Sequence, residues 1–373
     1  MEKLLNIISN QNENPEKFYI LKNIIGIGSN SKVYRAINIK KMNHFYSIKI
    51  CNVVKENINI ILNELNILTK LKQMKSKRII KFYESFYDKK NNNVWIVLEY
   101  FLYGDLYDFV HITNFNNQIN NTIFFSIFKF IIKNLYILHN QNIIHRDIKL
   151  SNILLNEKGY IKIIDFGISE EITKDEEKIT KRIGSIYWMS PEIINKKYYN
   201  QKTDIYSLGI SMIEFLDGEP PYYYLKPYHA IKKIKENPIL FVNKYSNEIN
   251  NFINLCLKED INERTDIKYL MNHEYIQKFG KNRKFLLEIL NNNFKEFFLH
   301  KCIFGDDYKL EISSSDNKEE NNLNSNNNDE NFDLNSNSSI IIHENISNNQ
   351  NKKDLNLNEI IKFDYDYEKY LNN

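Results

Sequence analysis

The sequence predicts an α+β fold with two unequal parts, a small antiparallel sheet followed by a larger helical region. Short alternating or β-branched runs between residues 18 and 50, broken by a turn with two glycines, predict the strands. From Leu106 onward, apolar residues recur mainly at helical spacing. With 373 residues, 42% of them hydrophobic, the chain can hold two or three ordinary domains or one two-lobed unit with a tail.

The other elements follow in order along the chain. Apolar residues at helical spacing between residues 53 and 72 predict a helix that crosses the sheet, and residues 79–86 and 94–100 predict two further strands. The apolar segment 123–138 is interrupted by two lysines and an asparagine, which favours a buried core helix over a membrane span. Residues 285–299 predict one more helix, most simply a packing extension of the helical region.

The patterning divides the chain into four segments: an N-terminal extension (1–17), a main domain (18–276), a helical extension (277–310) and an Asn/Ser-rich tail (311–373). Residues 311–350 contain few aromatic side chains and cannot bury enough surface to offset the entropy of ordering, so we predict disorder there. Residues 354–370 regain apolar and aromatic side chains between acidic ones. A tail without a specific role is favoured there over a short docking motif.

Composition limits the classes of partner. The net charge of +3 gives no support for a nucleic-acid partner or for insertion into or binding to a membrane. Cys51, Cys256 and Cys302 lie far apart without paired spacing, so we expect neither a disulfide framework nor a zinc site. These features are typical of a reducing compartment, and we predict a cytoplasmic protein.

Two motifs carry the chemistry. Residues 145–152 are His-Arg-Asp-Ile-Lys-Leu-Ser-Asn, and Asp-Phe-Gly follows at 165–167. Phosphoryl transfer from ATP needs an orienting carboxylate, a cation for the moving phosphate and hard oxygen ligands for Mg²⁺. This stretch offers them in order: Asp147 as the carboxylate, Lys149 as the cation, and Asn152 and Asp165 as the oxygen ligands. A lone tripeptide recurs by chance, but the two motifs at this spacing are a specific signal.

A glycine-containing turn precedes them in the predicted sheet. Such a turn can bring backbone N–H groups over the phosphates of a nucleotide, although a simple hairpin turn is the default interpretation. A Rossmann site is excluded because a helix should follow, whereas the strand pattern continues to Asn38. The candidate loop consists of Ile25, Gly26, Ile27, Gly28, Ser29, Asn30, Ser31, Lys32 and Val33.

Together these motifs resemble eukaryotic protein kinases over about residues 18–276, which implies the two-lobed protein kinase fold. The loop matches Gly-x-Gly-x-x-Gly-x-Val, with Ser31 in place of the third glycine. The string Tyr-Ser-Ile-Lys ending at Lys49 resembles the kinase strand Val-Ala-Ile-Lys. The resemblance implies that Lys49 grips the α- and β-phosphates of ATP and that Glu64, on the predicted helix, pairs with it.

The resemblance also assigns a hinge for adenine. Leu98 corresponds to the gatekeeper, and the backbone groups of Glu99 and Phe101 would hydrogen-bond adenine. Leu154 is a further residue of the nucleotide site. These contacts use mainly the main chain, so the side chains alone say little about them.

The catalytic roles come from the same resemblance. Asp147 would accept or orient the proton of the attacking hydroxyl, while Asn152 and Asp165 would hold Mg²⁺. Lys149 would contact the γ-phosphate, which favours Ser/Thr over tyrosine specificity. Lys49 and Glu64 complete the catalytic set.

Two strings narrow the subfamily. Residues 184–192, Gly-Ser-Ile-Tyr-Trp-Met-Ser-Pro-Glu, resemble the STE group of kinases. Residues 207–214, followed by Gly-Glu-Pro-Pro-Tyr, resemble germinal-centre kinases within that group. MAP kinase kinases are the nearer rival, because their catalytic loops often carry Ser-Asn-Ile-Leu and a later Met-Ser-Pro-Glu.

The segment after Asp165 departs from the family pattern. Arg146 implies control by phosphorylation, because a phosphate on the activation loop would pair with it and order the loop. Lys181, however, stands where relatives place the phosphorylated threonine. Either Thr180 beside it serves with a shifted loop, or Lys181 leaves the loop controlled in another way. Ser185 is the other candidate for phosphorylation, and it occupies a position that contacts the catalytic loop in Ser/Thr kinases.

Two buried contacts are further implied by the resemblance. Glu192 should pair with Arg264 in the helical lobe. Asp204 should brace the catalytic loop from a helix beneath it.

The resulting hypothesis is a Ser/Thr protein kinase of the STE group, using ATP and Mg²⁺ in a signalling cascade with protein substrates and an upstream activator. A pseudokinase scaffold is the rival from another class, because the glycine-rich loop and the activation loop are altered. A small-molecule kinase on a related fold is a weaker third interpretation. The oligomeric state stays open.

Overall fold

The computed structural model describes residues 2–10, 13–113, 118–172, 182–236 and 244–304, with side chains through residue 293. Within these residues the predicted α+β architecture is confirmed, with a small lobe built on an antiparallel sheet and a larger helical lobe. The predicted disordered tail, residues 311–373, lies outside the described residues.

The sheet of the small lobe has five antiparallel strands in the order β1-β2-β3-β5-β4. One face carries aromatic residues, with Tyr19, Phe86 and Trp95 each at most 3% exposed. The strands are β1 (Tyr19–Gly28), β2 (Ser31–Asn38), β3 (Lys41–Asn52), β4 (Phe82–Asp88) and β5 (Asn93–Glu99). The strand predicted at residues 79–86 therefore begins three residues later and extends to Asp88.

Helix α2 (Ile58–Gln73) packs beside the sheet and begins five residues later than the pattern from residue 53 predicted. The reason is a turn closed by Asn57, whose side chain accepts a hydrogen bond from Val54 N at 3.0 Å and donates to Asn52 O at 2.7 Å. Asparagine competes for backbone groups in this way and favours turns over helix interiors. Periodicity alone cannot detect this competition.

The N-terminal extension joins the small lobe. Helix α1 (Glu2–Ile7) packs against α2, with Leu4 fully buried and Ile8 4% exposed. The chain then runs beside β4, where Asn10 forms a parallel bridge to Phe86 and its side chain donates to Glu84 at 2.9 Å. Residues 2–10 are therefore part of the same hydrophobic core as α2.

The helical lobe is built around α4 and α6, both largely buried. By length and composition α4 is the one helix in the described ranges that could cross a membrane, but most of it lies inside the lobe, as predicted for segment 123–138. The helices are α3 (Leu106–Ile112), α4 (Asn121–Asn140), α5 (Pro191–Ile194), α6 (Lys202–Asp217), α7 (Pro227–Glu236), α8 (Asn247–Cys256), α9 (Ile267–Asn272), α10 (Glu274–Phe279) and α11 (Arg283–Phe304).

Two short antiparallel sheets of two strands each lie between these helices. Strand β6 (Ile143–Ile144) pairs with β9 (Glu170–Glu171), and β7 (Ile153–Leu155) pairs with β8 (Ile161–Ile163). The segment with the first catalytic motif leaves β6 and enters β7, while the Asp-Phe-Gly segment connects β8 to β9. The two pairings therefore bring both motifs to one place. Helix α11 contains the helix predicted at residues 285–299 and is longer at both ends.

Candidate active site

The catalytic loop rests on a carboxylate of α6. Asp204 is fully buried and accepts hydrogen bonds from His145 N and Arg146 N, each at 2.8 Å, and from His139 Nε2 at 2.9 Å. Burial alone would raise the pKa of Asp204, but these donors outweigh it and lower the pKa, so the group stays ionised. The expected bracing of the loop by Asp204 is confirmed.

Asp147 lies at the centre of the loop with its carboxylate 12% exposed. Oδ2 accepts a hydrogen bond from Asn152 Nδ2 at 2.7 Å and lies 3.2 Å from Lys149 Nζ, while Oδ1 accepts one from Ser185 N at 3.2 Å. These contacts fix the orientation of the carboxylate, and Lys149 gives it a counter-charge. Such a group can accept the proton of a hydroxyl placed before it.

Lys149 is held by the segment that precedes α5. Its Nζ donates to Ser185 Oγ at 2.7 Å and lies 5.8 Å from the centre of the Trp188 ring. Both contacts keep the ammonium beside Asp147 and away from bulk solvent. Ser185 therefore contacts the catalytic loop, as the resemblance implied.

On the side of the small lobe, Lys49 on β3 pairs with Glu64 on α2, at 2.9 Å from both carboxylate oxygens, and lies 3.1 Å from Asp165 Oδ1. Burial disfavours the ammonium, but the two carboxylates outweigh burial and raise the pKa of Lys49. The nearby ammonium lowers the pKa of Asp165. The ion pair expected between Lys49 and Glu64 is thus formed, and it reaches the second motif as well.

Asn152 and Asp165 offer oxygen atoms to a divalent cation. The Asn152 amide nitrogen donates to Asp147 O at 2.8 Å and to its carboxylate, so the amide oxygen is left for another partner. The Asp165 side chain is 46% exposed. An amide and a carboxylate oxygen suit Mg²⁺, which binds proteins through one or two such ligands and takes the rest from phosphates and water. The residues present therefore fit the cation.

The glycine-rich loop is the hairpin between β1 and β2, in which Gly26 faces Val33 and Gly28 faces Ser31. A Cβ on Gly28 would lie 2.8 Å from Ser31 Oγ, so the serine that replaces the third glycine already fills the space beside it. Asn30 O accepts a hydrogen bond from Asn52 N at 3.0 Å, which ties the tip of the loop to the end of β3.

The hinge follows β5. Glu99 N donates to Lys81 O at 3.0 Å, and the Glu99 carboxylate is bound by Lys81 N and by the buried Lys162 ammonium, so both groups are engaged within the protein. Phe101 is 3% exposed and its carbonyl accepts from Gly104 N at 3.2 Å, which leaves its N–H. Leu154 packs partly buried against the core.

The sequence profile described as the protein kinase domain matches residues 19–276. The chain belongs to the protein kinase family. The match begins and ends within one residue of the boundaries expected from the motifs, 18 and 276. The same segment contains every element of the site described above.

Named relatives place this kinase more closely. It is 34% identical over 286 residues to serine/threonine-protein kinase CLA4 of Candida albicans, covering 75% of this chain and 28% of the relative. It is 34% identical over 269 residues to serine/threonine-protein kinase 4 homolog B of Dictyostelium discoideum, covering 71% of this chain and 24% of the relative. It is 35% identical over 269 residues to serine/threonine-protein kinase cst-1 of Caenorhabditis briggsae, covering 71% of this chain and 53% of the relative. The kinase thus spans about a quarter to a half of these relatives. They are of the Ste20 and germinal-centre type, which confirms the predicted subfamily.

Two functional residues of the kinase escaped the sequence analysis. Asn63, next to the paired glutamate on α2, donates to Phe166 O, Gly167 O and Ser169 O at 3.2, 3.1 and 2.8 Å. It ties α2 to the segment after Asp165. One asparagine on a helix in an Asn-rich chain gives no signal of such a contact.

The second is Glu214 on α6, which is 1% exposed. Its Oε2 accepts hydrogen bonds from Leu150 N at 3.1 Å and from Trp188 Nε1 at 2.9 Å. It therefore joins the catalytic loop to the segment that holds Lys149. Burial raises the pKa of Glu214 to about 8.

This raised pKa predicts a pH effect on the stability of the kinase. The unfolded chain releases the Glu214 proton near pH 4.5, whereas the folded chain keeps it up to about pH 8. The proton on Glu214 therefore stabilises the folded protein fully below pH 4.5, and this stabilisation is lost as the pH rises from 4.5 to about 8. The Glu214→Gln variant keeps an acceptor for both hydrogen bonds and cannot ionise. Thermal midpoints at about pH 6 and about pH 8.5 should show the wild type losing stability relative to the variant, and parallel curves would contradict the assignment.

A second prediction concerns Gly184, whose φ of +116° places it in a region that favours glycine. A Cβ there would meet Arg146 O on the catalytic loop more closely than real Cβ atoms approach backbone oxygen. The Gly184→Ala variant should therefore move the loop and lower kcat by about tenfold or more, with a loss of about 1–3 kcal/mol in stability. Steady-state kinetics and urea unfolding measure the two effects. Wild-type values for both would contradict the packing.

The buried ion pair implied in the helical lobe is confirmed, whereas the candidate phosphorylation site at Thr180 is not described. Glu192 and Arg264 form the implied buried pair, with Nη1–Oε1 and Nη2–Oε2 distances of 2.6 and 2.9 Å. Thr180 and Lys181 lie outside the described residues, so their place in the activation loop stays a prediction.

Proposed function

We propose that the chain is an ATP- and Mg²⁺-dependent Ser/Thr protein kinase of the STE group that acts in a cytoplasmic signalling cascade. The observation that carries the proposal is the joint geometry of its two halves. Lys49, bound to Glu64, reaches Asp165 from one lobe, while Asp147, oriented by Asn152, lies on the other. The match to the protein kinase domain and the similarity to serine/threonine-protein kinases support the same activity.

The nucleotide would bind between the lobes. The glycine-rich hairpin from Ile25 to Val33 would cover its phosphates with backbone N–H groups, and Lys49 would bind the α- and β-phosphates. The Glu99 carbonyl and the Phe101 N–H would bind adenine, with Leu154 beneath the ring. These roles use main-chain groups of the hinge, as the resemblance implies, because the Glu99 N–H and carboxylate are already bound within the protein.

Asn152 and Asp165 would hold Mg²⁺, which supplies positive charge to the β- and γ-phosphates when bound. Asp147 would orient the substrate hydroxyl and accept its proton. Lys149 would stabilise negative charge on the transferred phosphoryl group, and Ser185 holds that ammonium in position. The pairing of Lys149 with Ser185 supports Ser/Thr specificity.

The partners follow from this activity. The proposed substrates are proteins with accessible serine or threonine hydroxyls, and an upstream protein would regulate the kinase. The pseudokinase-scaffold and MAP-kinase-kinase-like alternatives are not favoured by the relatives, and the intact Lys49–Glu64 pair argues against the scaffold.

The test is transfer of labelled γ-phosphate from Mg·ATP to a basic protein by purified wild type and by the Asp165→Asn variant. Wild type should label serine and threonine, and the variant should be slower by about 100-fold or more. The Asp260→Asn variant, on an exposed loop, is the matched control and should behave as wild type.

A thermal-shift titration with Mg·ATP accompanies this assay, because a ligand that binds the folded state raises the melting temperature. Stabilisation by Mg·ATP without any transfer would leave two options, a scaffold or an enzyme that awaits its activator. Phosphate found on tyrosine would contradict the Ser/Thr assignment.

A further inference from the structure

Arg146 lies between His145 and Asp147, so a contact that fixes its guanidinium also fixes the neighbouring catalytic carboxylate. Its φ is +68°, a region that costs free energy for any residue with a Cβ, and its side chain is 5% exposed. A buried guanidinium requires hydrogen-bond partners and a counter-charge. What supplies that counter-charge determines how the catalytic loop is held.

Each nitrogen of the Arg146 guanidinium has a partner in this chain. Nε donates to Ile168 O at 2.5 Å, and Nη2 donates to Ser169 O at 3.4 Å. Nη1 donates to the Tyr199 hydroxyl at 3.1 Å and lies 2.7 Å from Glu170 Oε2. The guanidinium therefore has a carboxylate counter-ion before any phosphate is added to the protein.

The main chain fixes the position of Glu170. Strand β9 pairs antiparallel with β6, with Glu170 opposite Ile144, the residue that leads into the catalytic loop. The next residue, Glu171, lies 2.5 Å from Lys70 Nζ on α2, and Lys70 also donates to Gln141 O at 3.1 Å. The two adjacent acids thus have separate basic partners, and only Glu170 faces the catalytic loop.

We propose that Glu170 is a positioning residue that supplies, from within the chain, the negative charge which a phosphorylated activation loop was expected to bring to Arg146. This inference rests on the proposed kinase function. A phosphate carries up to two negative charges, so it would have to displace Glu170 or lie beside it against repulsion. The sequence agrees, because Lys181 and not a hydroxyl residue occupies the position of the phosphorylated threonine.

The consequence is a catalytic loop whose order does not depend on phosphorylation. An upstream regulator would then act by a route other than a phosphate on Arg146. Tyr199, fully buried, completes the arrangement by connecting Arg146 to the segment between α5 and α6.

The first test compares two preparations of the full chain, one treated with phosphatase until its intact mass shows no phosphate and one left to autophosphorylate. We expect kcat to agree within about twofold, because the counter-ion of Arg146 is present in both. Activity confined to the phosphorylated preparation would overturn the inference and leave the kinase function standing. No transfer by either preparation would refute both proposals.

The second test removes the charge. In phosphate-free protein, Glu170→Gln should lower kcat by about tenfold to a hundredfold while KM for ATP stays within about threefold, because the Lys49–Glu64 pair is untouched. Glu171→Gln is the matched control: it removes an equal charge from the same strand, but its pair with Lys70 is partly exposed and worth little. Its kcat should stay within about twofold of wild type.

A general loss of structure would change kcat and KM together and lower the melting temperature. Glu170→Asp, which keeps the charge on a shorter side chain, should recover part of the kcat lost in Glu170→Gln. Equal kcat for wild type and Glu170→Gln would overturn the inference. So would equal loss in the Glu170→Gln and Glu171→Gln variants.

Discussion

Replacing Asp147 by asparagine is expected to lower kcat by about 100- to 10,000-fold, the usual contribution of a general base, with little change in stability. The carboxylate is the acceptor held between Asn152 Nδ2 and Ser185 N, and the variant keeps its shape while losing its charge and basicity. Mg·ATP should still bind, since Lys49 and Asp165 are unchanged. The measurements are kcat for a peptide substrate and the thermal shift with Mg·ATP.

The control for this substitution is Asp260→Asn, which makes the same chemical change on an exposed loop. A second comparison is Asp147→Ala, because asparagine can still accept one of the two hydrogen bonds from Asn152 Nδ2 and Ser185 N, whereas alanine accepts neither. Wild-type turnover by either Asp147 variant would show that the proton of the substrate hydroxyl is managed elsewhere.

The largest loss of stability is expected from Glu192→Gln. Arg264 is 1% exposed, and its guanidinium is bound by both oxygens of the Glu192 carboxylate. The variant leaves a buried positive charge facing an amide group, which typically costs about 3–5 kcal/mol. Because the marginal stability of a domain is only about 5–15 kcal/mol, the protein should unfold at much lower urea concentration.

Urea unfolding measures this loss, with Glu236→Gln as the control. Glu236 lies 3.9 Å from Lys232 on the exposed surface of α7, where such a pair contributes about 0.3–0.5 kcal/mol. A similar small loss in both variants would mean that the buried pair is replaced at little cost.

The clustering of the candidate catalytic residues could be predicted from the sequence because they belong to short, local strings. Asp147, Lys149 and Asn152 lie within six residues, and their mutual contacts follow from one loop. The distant pair of Lys49 and Glu64 was expected because the resemblance to protein kinases implies it, and the structure forms it. The fold class could be predicted because the apolar pattern changes from strand-like runs before residue 50 to helical spacing after Leu106.

The residues that sequence reasoning missed act over long distances in the chain. Glu214 reaches Leu150 and Trp188 from α6, and the string 207–214 that ends with it gives no sign of these two contacts. The contact between Arg146 and Glu170 depends on the pairing of two-residue strands, which are too short for periodicity to detect. The start of α2 was missed for a local reason, the turn closed by Asn57.

Helix α1 has a practical consequence for work with fragments of this protein. The protein kinase domain match starts at residue 19, so a fragment cut at that boundary would omit Leu4 and Ile8 and uncover the surface of α2 that they bury. Helix α2 carries Glu64 at its centre, so its packing also bears on the pair with Lys49. An expression fragment that begins at the first residue preserves this packing, and an affinity tag is better attached after α11 than before α1.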